Sequence, residues 1–157
     1  MPCRILAHLA LVSALVLSAM ARAAPTCTVT TTGINFGLMS FKNLVDVDST
    51  GTVEIACNNP NISYSVLISA GAGTYAQRRM TANGHGLGYN IFTSSTYTSV
   101  WGDGTSGSVA VTGTVSSNAN GQNNHGLHTL YGRIPSTSIR EAYSGSYADV
   151  LSVTITY

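Results

Sequence analysis

The groups in this chain that could do chemistry are its histidines, its six Asp and Glu, and its many hydroxyl residues. His125 and His128, with His85 or Asp103, are the residues from which a metal site would have to be built. Zinc needs three or four ligands converging on one point. These histidines fall in a polar Gly/Asn stretch and at an expected strand start, where a solvated imidazole is the ordinary outcome. A Ser–His–Asp hydrolase would carry its serine on a Gly-x-Ser-x-Gly turn, and no such pentapeptide occurs. The acidic residues are scattered over expected loops and strands and offer no carboxylate pair for glycosidic chemistry. Gly102-Asp103-Gly104 reads as a turn and not a phosphate cradle, since no helix is expected behind it. Asn61-Ile62-Ser63 fits the glycosylation triplet by chance. The expectation is a chain that is not an enzyme, with no catalytic residue, no metal and no cofactor.

Binding and covalent structure remain. Tyr75, Tyr97 and Trp101, with Asn and Gly nearby, are the side chains on which a sugar could stack at a surface. Trp101 has a competing expectation, a place in the core, as buried aromatics usually have in sandwiches. Cys3 lies in a segment expected to be removed on export, which leaves Cys27 and Cys57 as an even pair. In an oxidising compartment such a pair is expected to form a structural disulfide. On the chain-entropy account it stabilises the fold by about 3–4 kcal/mol. A metal or redox pair would need further ligands or a Cys-x-x-Cys spacing, and neither is present.

The elements that must position these residues begin after an export signal. Arg4 gives a positive start, Ile5 to Met20 is a nearly unbroken apolar run, and Ala21-Arg22-Ala23 places small residues where a signal peptidase reads them. The run is shorter than the ~20 residues a spanning helix needs, so an integral membrane protein is not expected. Ala24-Pro25-Thr26 before Cys27 is not a lipidation pattern. Residues 1–23 are therefore read as signal peptide and 24–157 as one domain of ordinary size. Loss of Arg4 and Arg22 tips the mature chain just below neutrality. Nucleic acid and anionic membranes both call for a basic face and are excluded as partners.

Charged residues make up only 8% of the chain, and Thr, Ser, Asn and Gly take their place. The β-branched residues and eight Tyr suit pleated, half-buried surfaces, and no apolar pattern of helical period follows the signal. Strands are expected at Cys27–Thr30, continuing through Gly33–Gly37 after a kink, and at Thr52–Cys57. Others follow at Tyr64–Ile68, Arg78–Met80, Leu87–Thr93, Val109–Val115, Thr129–Ile134 and Leu151–Tyr157, with 116–126 a loop. Many short strands divided by turn residues predict an all-β, immunoglobulin-like sandwich. The last strand is the clearest: Leu151, Val153, Ile155 and Tyr157 share one face, with nothing after them to cover it.

Almost all of residues 24–157 resembles the spore coat protein U domain, the fold of archaic chaperone–usher pilins. The resemblance is carried by Cys27-Thr28-Val29 with Phe36-Gly37, by Gly51 through Cys57, by Arg79-Met80 and by Leu87-Gly88-Tyr89-Asn90-Ile91-Phe92. Trp101-Gly102-Asp103-Gly104, Leu130-Tyr131-Gly132-Arg133-Ile134 and Gly145-Ser146-Tyr147-Ala148-Asp149 complete it in order. It implies a sandwich missing its last strand, whose gap is an apolar groove. A periplasmic chaperone fills that groove first, and a strand from a neighbouring pilin-like subunit then replaces it at an outer-membrane usher. On this resemblance Val29, Ile34 and Phe36 would line one wall, and Leu151, Val153, Ile155 and Tyr157 the other. The function implied is a structural subunit of a surface fibre or coat, exported through the periplasm. The alternative is a surface-binding tip module using Tyr75, Tyr97 and Trp101.

One departure bears on position in a fibre. Only Ala24-Pro25-Thr26 would precede Cys27, too short to cross a groove at about 3.3 Å per residue. The expectation is a subunit that accepts a strand and donates none, and so ends or caps an assembly. N-terminal sequencing of the exported protein is expected to read Ala24-Pro25-Thr26; a longer mature start would remove the reason for a terminal place.

Overall fold

Strict alternation fixes the strands: in Val47–Cys57, for example, Val53 and Ile55 are fully buried while Thr52 and Glu54 are not. The computed structural model describes residues 24–40, 42, 44–116 and 124–157; the expected signal peptide, 1–23, lies outside them. The elements are β1 (Cys27–Thr32), β2 (Val47–Cys57), β3 (Ile62–Ile68), β4 (Arg78–Ala82), β5 (His85–Phe92), β6 (Val111–Val115), β7 (His125–Ile134), α1 (Ser136–Arg140) and β8 (Val153–Thr156). They form an immunoglobulin-like sandwich of two antiparallel sheets, in the orders β1-β2-β7-β5-β4 and β6-β3-β8. Among the described residues no helix is long and apolar enough to cross a membrane.

Turn chemistry accounts for the connections. Ala82 pairs with His85 across Asn83 and Gly84, which both have positive φ, 49° and 81°. Such a pair makes the two-residue turn whose twist matches that of its strands. Pro135 ends β7, as its missing N–H requires, and heads the single helical turn α1. That helix carries no sustained apolar period and was not expected. Residues 33–37 do not continue β1. Instead Ile34 and Phe36 turn inward over Gly132, where an added Cβ would lie 2.8 Å from the Phe36 ring. β7 begins four residues before the expected Thr129, because β2 pairs along its whole length, to Ala56 opposite His125.

The core fills the space between the sheets. Val53, Ile55, Met80, Leu87, Tyr89, Ile91, Leu130 and Ile134 come from one, and Tyr64, Val66, Ile68 and Val115 from the other. Trp101 sits between them and is 1% exposed. Its indole N–H donates to the Val66 carbonyl at 3.0 Å, and its backbone N–H to Ile91 at 2.9 Å, so one residue ties both sheets. The expected disulfide is present: Cys27 and Cys57 are direct partners across β1 and β2.

Two polar clusters reach this interior, one around buried Arg78 and Asn90 and one around half-buried His128. Arg78 is completely buried and faces no carboxylate in hydrogen-bond contact. Its guanidinium donates to the Ser69 carbonyl at 2.9 and 3.1 Å, to the Trp101 carbonyl at 2.7 Å and to Asn90 Oδ1 at 2.7 Å. Asn90 in turn donates to the Tyr75 carbonyl at 2.8 Å. Burial lowers the Arg78 pKa from its ordinary value, with Tyr89, Tyr75 and Asp149 acting in opposition. His128 forms the second. Its Nε2 lies 2.8 Å from the Tyr64 hydroxyl, and its ring meets Tyr64 and Trp101 edge to face. The expectation of a solvated imidazole fails here, because β7 extends back far enough to carry His128 onto the core.

Replacing Arg78 with Met keeps the length but strips the donors from two carbonyls and an amide. At about 1–3 kcal/mol for each buried group left unpaired, the loss should exceed about 3 kcal/mol, read as a lower urea midpoint at unchanged slope. A loss below 1 kcal/mol would deny Arg78 its part in closing the sandwich. For His128, burial holds the pKa below its ordinary 6.5. The unfolded chain therefore takes up a proton first, and stability falls as pH drops from about 6.5 to the lowered folded value, then levels. The His128→Gln variant should lose that part of the pH–stability slope; an unchanged slope would show that His128 does not set it.

Candidate functional site

The sandwich has one open side. Among the described residues β1 pairs only with β2 and β8 only with β3, so each presents a free edge. Between the chain that leaves β1 and the chain that enters β8 lies a cleft of ≈ 320 Å³. Thr31 to Phe36 form one wall, and Tyr147 to Val153 the other. Its floor is core: Ile68 from β3, Met80 from β4, Tyr89 and Ile91 from β5, and Leu130 from β7. An added extended segment would lie over this floor, between the β1 and β8 edges.

Local contacts hold both walls in place. On the first, Ser49 donates to the Asn35 carbonyl at 2.6 Å, and Phe36 meets Tyr89 edge to face with ring centres 6.0 Å apart. On the second, Ala148 exchanges backbone hydrogen bonds with Thr81 at 2.9 and 3.2 Å, tying the approach to β8 onto β4. Asp149 then fixes the rim. It accepts from the Tyr89 hydroxyl at 2.8 Å, from Val150 N–H at 2.9 Å and from Ala72 N–H at 3.2 Å. Burial first, and the Asp149 carboxylate second, push the Tyr89 phenol well above its ordinary range. Tyr89 therefore stays a neutral donor at the cleft floor. Gly71, with φ 65°, allows this approach, since a Cβ there would strike Asp149 and Leu151.

The residues expected at the groove fall in three places. Ile34, Phe36, Leu151 and Val153 line the cleft. Val29 and Ile155 are partly buried against the core beyond the lining. Tyr157 is 54% exposed at the end of the chain. The floor residues were visible only as inward positions of strands. Nothing in the sequence separates the part of the core that a partner would touch from the part it would not.

The aromatic surface patch is not formed as expected. Trp101 is a core residue, buried because its indole N–H finds the Val66 carbonyl. Tyr75 is half-buried near the Arg78 guanidinium, 5.4 Å from its ring centre, and burial followed by Asp103 raises its pKa. Tyr97 lies under the Arg133 guanidinium at 3.6 Å and meets Phe92 edge to face. Burial and then Asp48 raise its pKa as well. The polar residues weighed for chemistry are held apart. His125 contacts Glu54 at 2.6 Å, His85 stacks on Tyr143 at 3.9 Å, and Asp103 accepts from Thr105.

Comparison with known proteins adds to this geometry. The family model described as Spore Coat Protein U domain matches residues 12–154. Among solved structures, a chain of the CsuC–CsuE chaperone–tip adhesion subunit pre-assembly complex, from archaic chaperone–usher Csu pili of Acinetobacter baumannii, is similar at TM-score 0.58 and 24% identity. The match covers 85% of this chain and 40% of that one, so this protein spans about two fifths of the length it resembles. The likeness extends to the fold. The E. coli Hda pilus minor tip subunit, HdaB, is similar at 18% identity and TM-score 0.43, over 82% of this chain and 79% of that one. No curated protein matches the sequence.

Proposed function

Because the chain belongs to the Spore Coat Protein U domain family, we propose that it is a structural subunit of a surface fibre or coat, completed by a strand from a partner. The observation that carries this reading is the pair of unpaired edges, β1 and β8, flanking an apolar cleft. An extended segment laid there would bond to free backbone groups along its length, which sets its register. Its alternate side chains would drop onto Ile68, Met80, Tyr89, Ile91 and Leu130, which sets its sequence preference. The reaction is assembly: no covalent bond is made or broken, and the driving force is apolar burial plus edge pairing.

The partners follow from the route. A periplasmic chaperone would hold the groove during transit, and a neighbouring pilin-like subunit would replace it at an outer-membrane usher. The signal peptide at 1–23 and delivery to the cell surface belong to the same proposal. A terminal or capping place is its finer part, and it rests on the expected cleavage after Ala23. The rival tip module built on Tyr75, Tyr97 and Trp101 is left without its largest aromatic, since Trp101 is inside.

The test uses the exported full chain with the chaperone expressed beside it. Leu151→Asp with Val153→Asp puts two charges on the groove wall, whereas Val150→Asp changes a neighbour that is 87% exposed. Co-purification with the chaperone should fall at least tenfold in the first and hold in the second. The wild-type complex, offered peptides of alternating apolar sequence, should exchange to one-to-one complexes with a raised melting temperature. Equal chaperone capture by both variants would overturn the groove reading. Homopolymers growing from this chain alone would overturn the terminal place and leave the groove standing.

A further inference from the structure

β4 and β5 carry a second cleft on the face turned away from the groove. Arg78, Met80 and Ala82 point inward from β4, and Leu87, Tyr89 and Ile91 from β5. Arg79, Gly86 and Gly88 are thus left on the outer side. There α1 and the chain before β4 enclose a cleft of ≈ 410 Å³, walled by Gln77, Arg79, Ser138 and Glu141 and floored by the two glycines. No side chain lining it is aliphatic beyond Ala or aromatic.

The glycines are there for their lack of bulk. A Cβ on Gly86 would run into the Arg79 guanidinium, and one on Gly88 would lie 2.5 Å from Gln77 Nε2 and 2.8 Å from Ser138 Oγ. The Arg79, Gln77 and Ser138 side chains therefore lie over the glycines. Arg79 and Glu141 are both exposed, and neither forms an ion pair among the described residues. They bring one charge of each sign to a single cleft.

We propose that this cleft binds a saccharide bearing one carboxylate, of the uronic acid type. A guanidinium takes a carboxylate through two parallel hydrogen bonds. Gln77 and Ser138 can both donate to and accept from ring hydroxyls, and Glu141 accepts from them. Lying over the two glycines, the Arg79, Gln77 and Ser138 side chains give a sugar ring a polar floor. An apolar ligand would find nothing to bury against. A phosphate or other polyanion would meet one cation and be repelled by Glu141, so a single negative charge fits best. The site shares no residue with the strand groove and does not depend on the assembly reading.

The test is an NMR titration of the isotopically labelled mature chain with galacturonate and, in parallel, with neutral galactose. Galacturonate should shift the amide signals of Gly86 and Gly88 and bind at least about tenfold more tightly than galactose. Arg79→Gln should weaken it by a similar factor at unchanged melting temperature, because Arg79 is exposed. Arg79→Lys, which keeps the charge and loses the fork, should fall between. Equal binding of the acidic and neutral sugars, binding undiminished in Arg79→Gln, or no shifts at Gly86 and Gly88 would each overturn the proposal.

Discussion

The guanidinium of Arg78 is the contact on which the closed half of the sandwich depends. It enters from β4 in the larger sheet, reaches Ser69 just beyond β3 in the smaller one, and takes in Trp101 and Asn90 on the way. A buried charge without an opposing carboxylate is costly unless its donors are met. Here the acceptors are two backbone carbonyls and an amide, none of which can be moved without moving a strand end. The result is a fixed distance between the sheets at the β4–β5 side. Trp101 repeats the tie, bonding Ile91 of one sheet and Val66 of the other.

The opposite side has no such closure, and the fold compensates by holding each free strand from behind. β1 has β2 alone as its sheet neighbour, and the disulfide joins the two at Cys27 and Cys57. The Thr26 N–H adds a bond to Asn58 Oδ1 at 2.8 Å beside it. β8 has β3 alone, and the chain entering it is pinned by Ala148 on Thr81 and by Asp149 under Tyr89. Both edges are thus braced on the side away from the cleft. A cleft with preset walls gives up less entropy to an incoming strand than two loose edges would.

How much of this could be read from the sequence varied with the kind of signal. Period-two alternation located β2, β3, β5 and β8, because Val53 and Ile55 or Leu87, Tyr89 and Ile91 leave no other reading of their facing. Cysteine counting found the one disulfide. Composition misled where a strand is built of polar residues: His125 and Gly126 looked like loop and the strand was expected only from Thr129, yet pairing with β2 brings 125–128 into β7. The same miss put His128 in solvent when it packs on Tyr64 and Trp101. Ile34 and Phe36 had the spacing of a strand continuing β1, and what turns them inward is room above Gly132, a tertiary fact. The network around Arg78 was equally hidden. An Arg-Arg pair does not say which guanidinium is buried, since that is settled by where Ser69 and Trp101 place their carbonyls.

The position of the disulfide has a mechanical consequence. Cys27 and Cys57 lie 30 residues apart, with all of β1 and β2 between them. Tension entering the chain ahead of Cys27 and leaving through β8 would cross the sulfur–sulfur bond and pass directly to Asn58. The intervening loop would carry no load, so that about 100 Å of contour length could not be drawn out by pulling. The wall proposed for a partner strand would keep its shape under traction, even as segments beyond the bond began to yield.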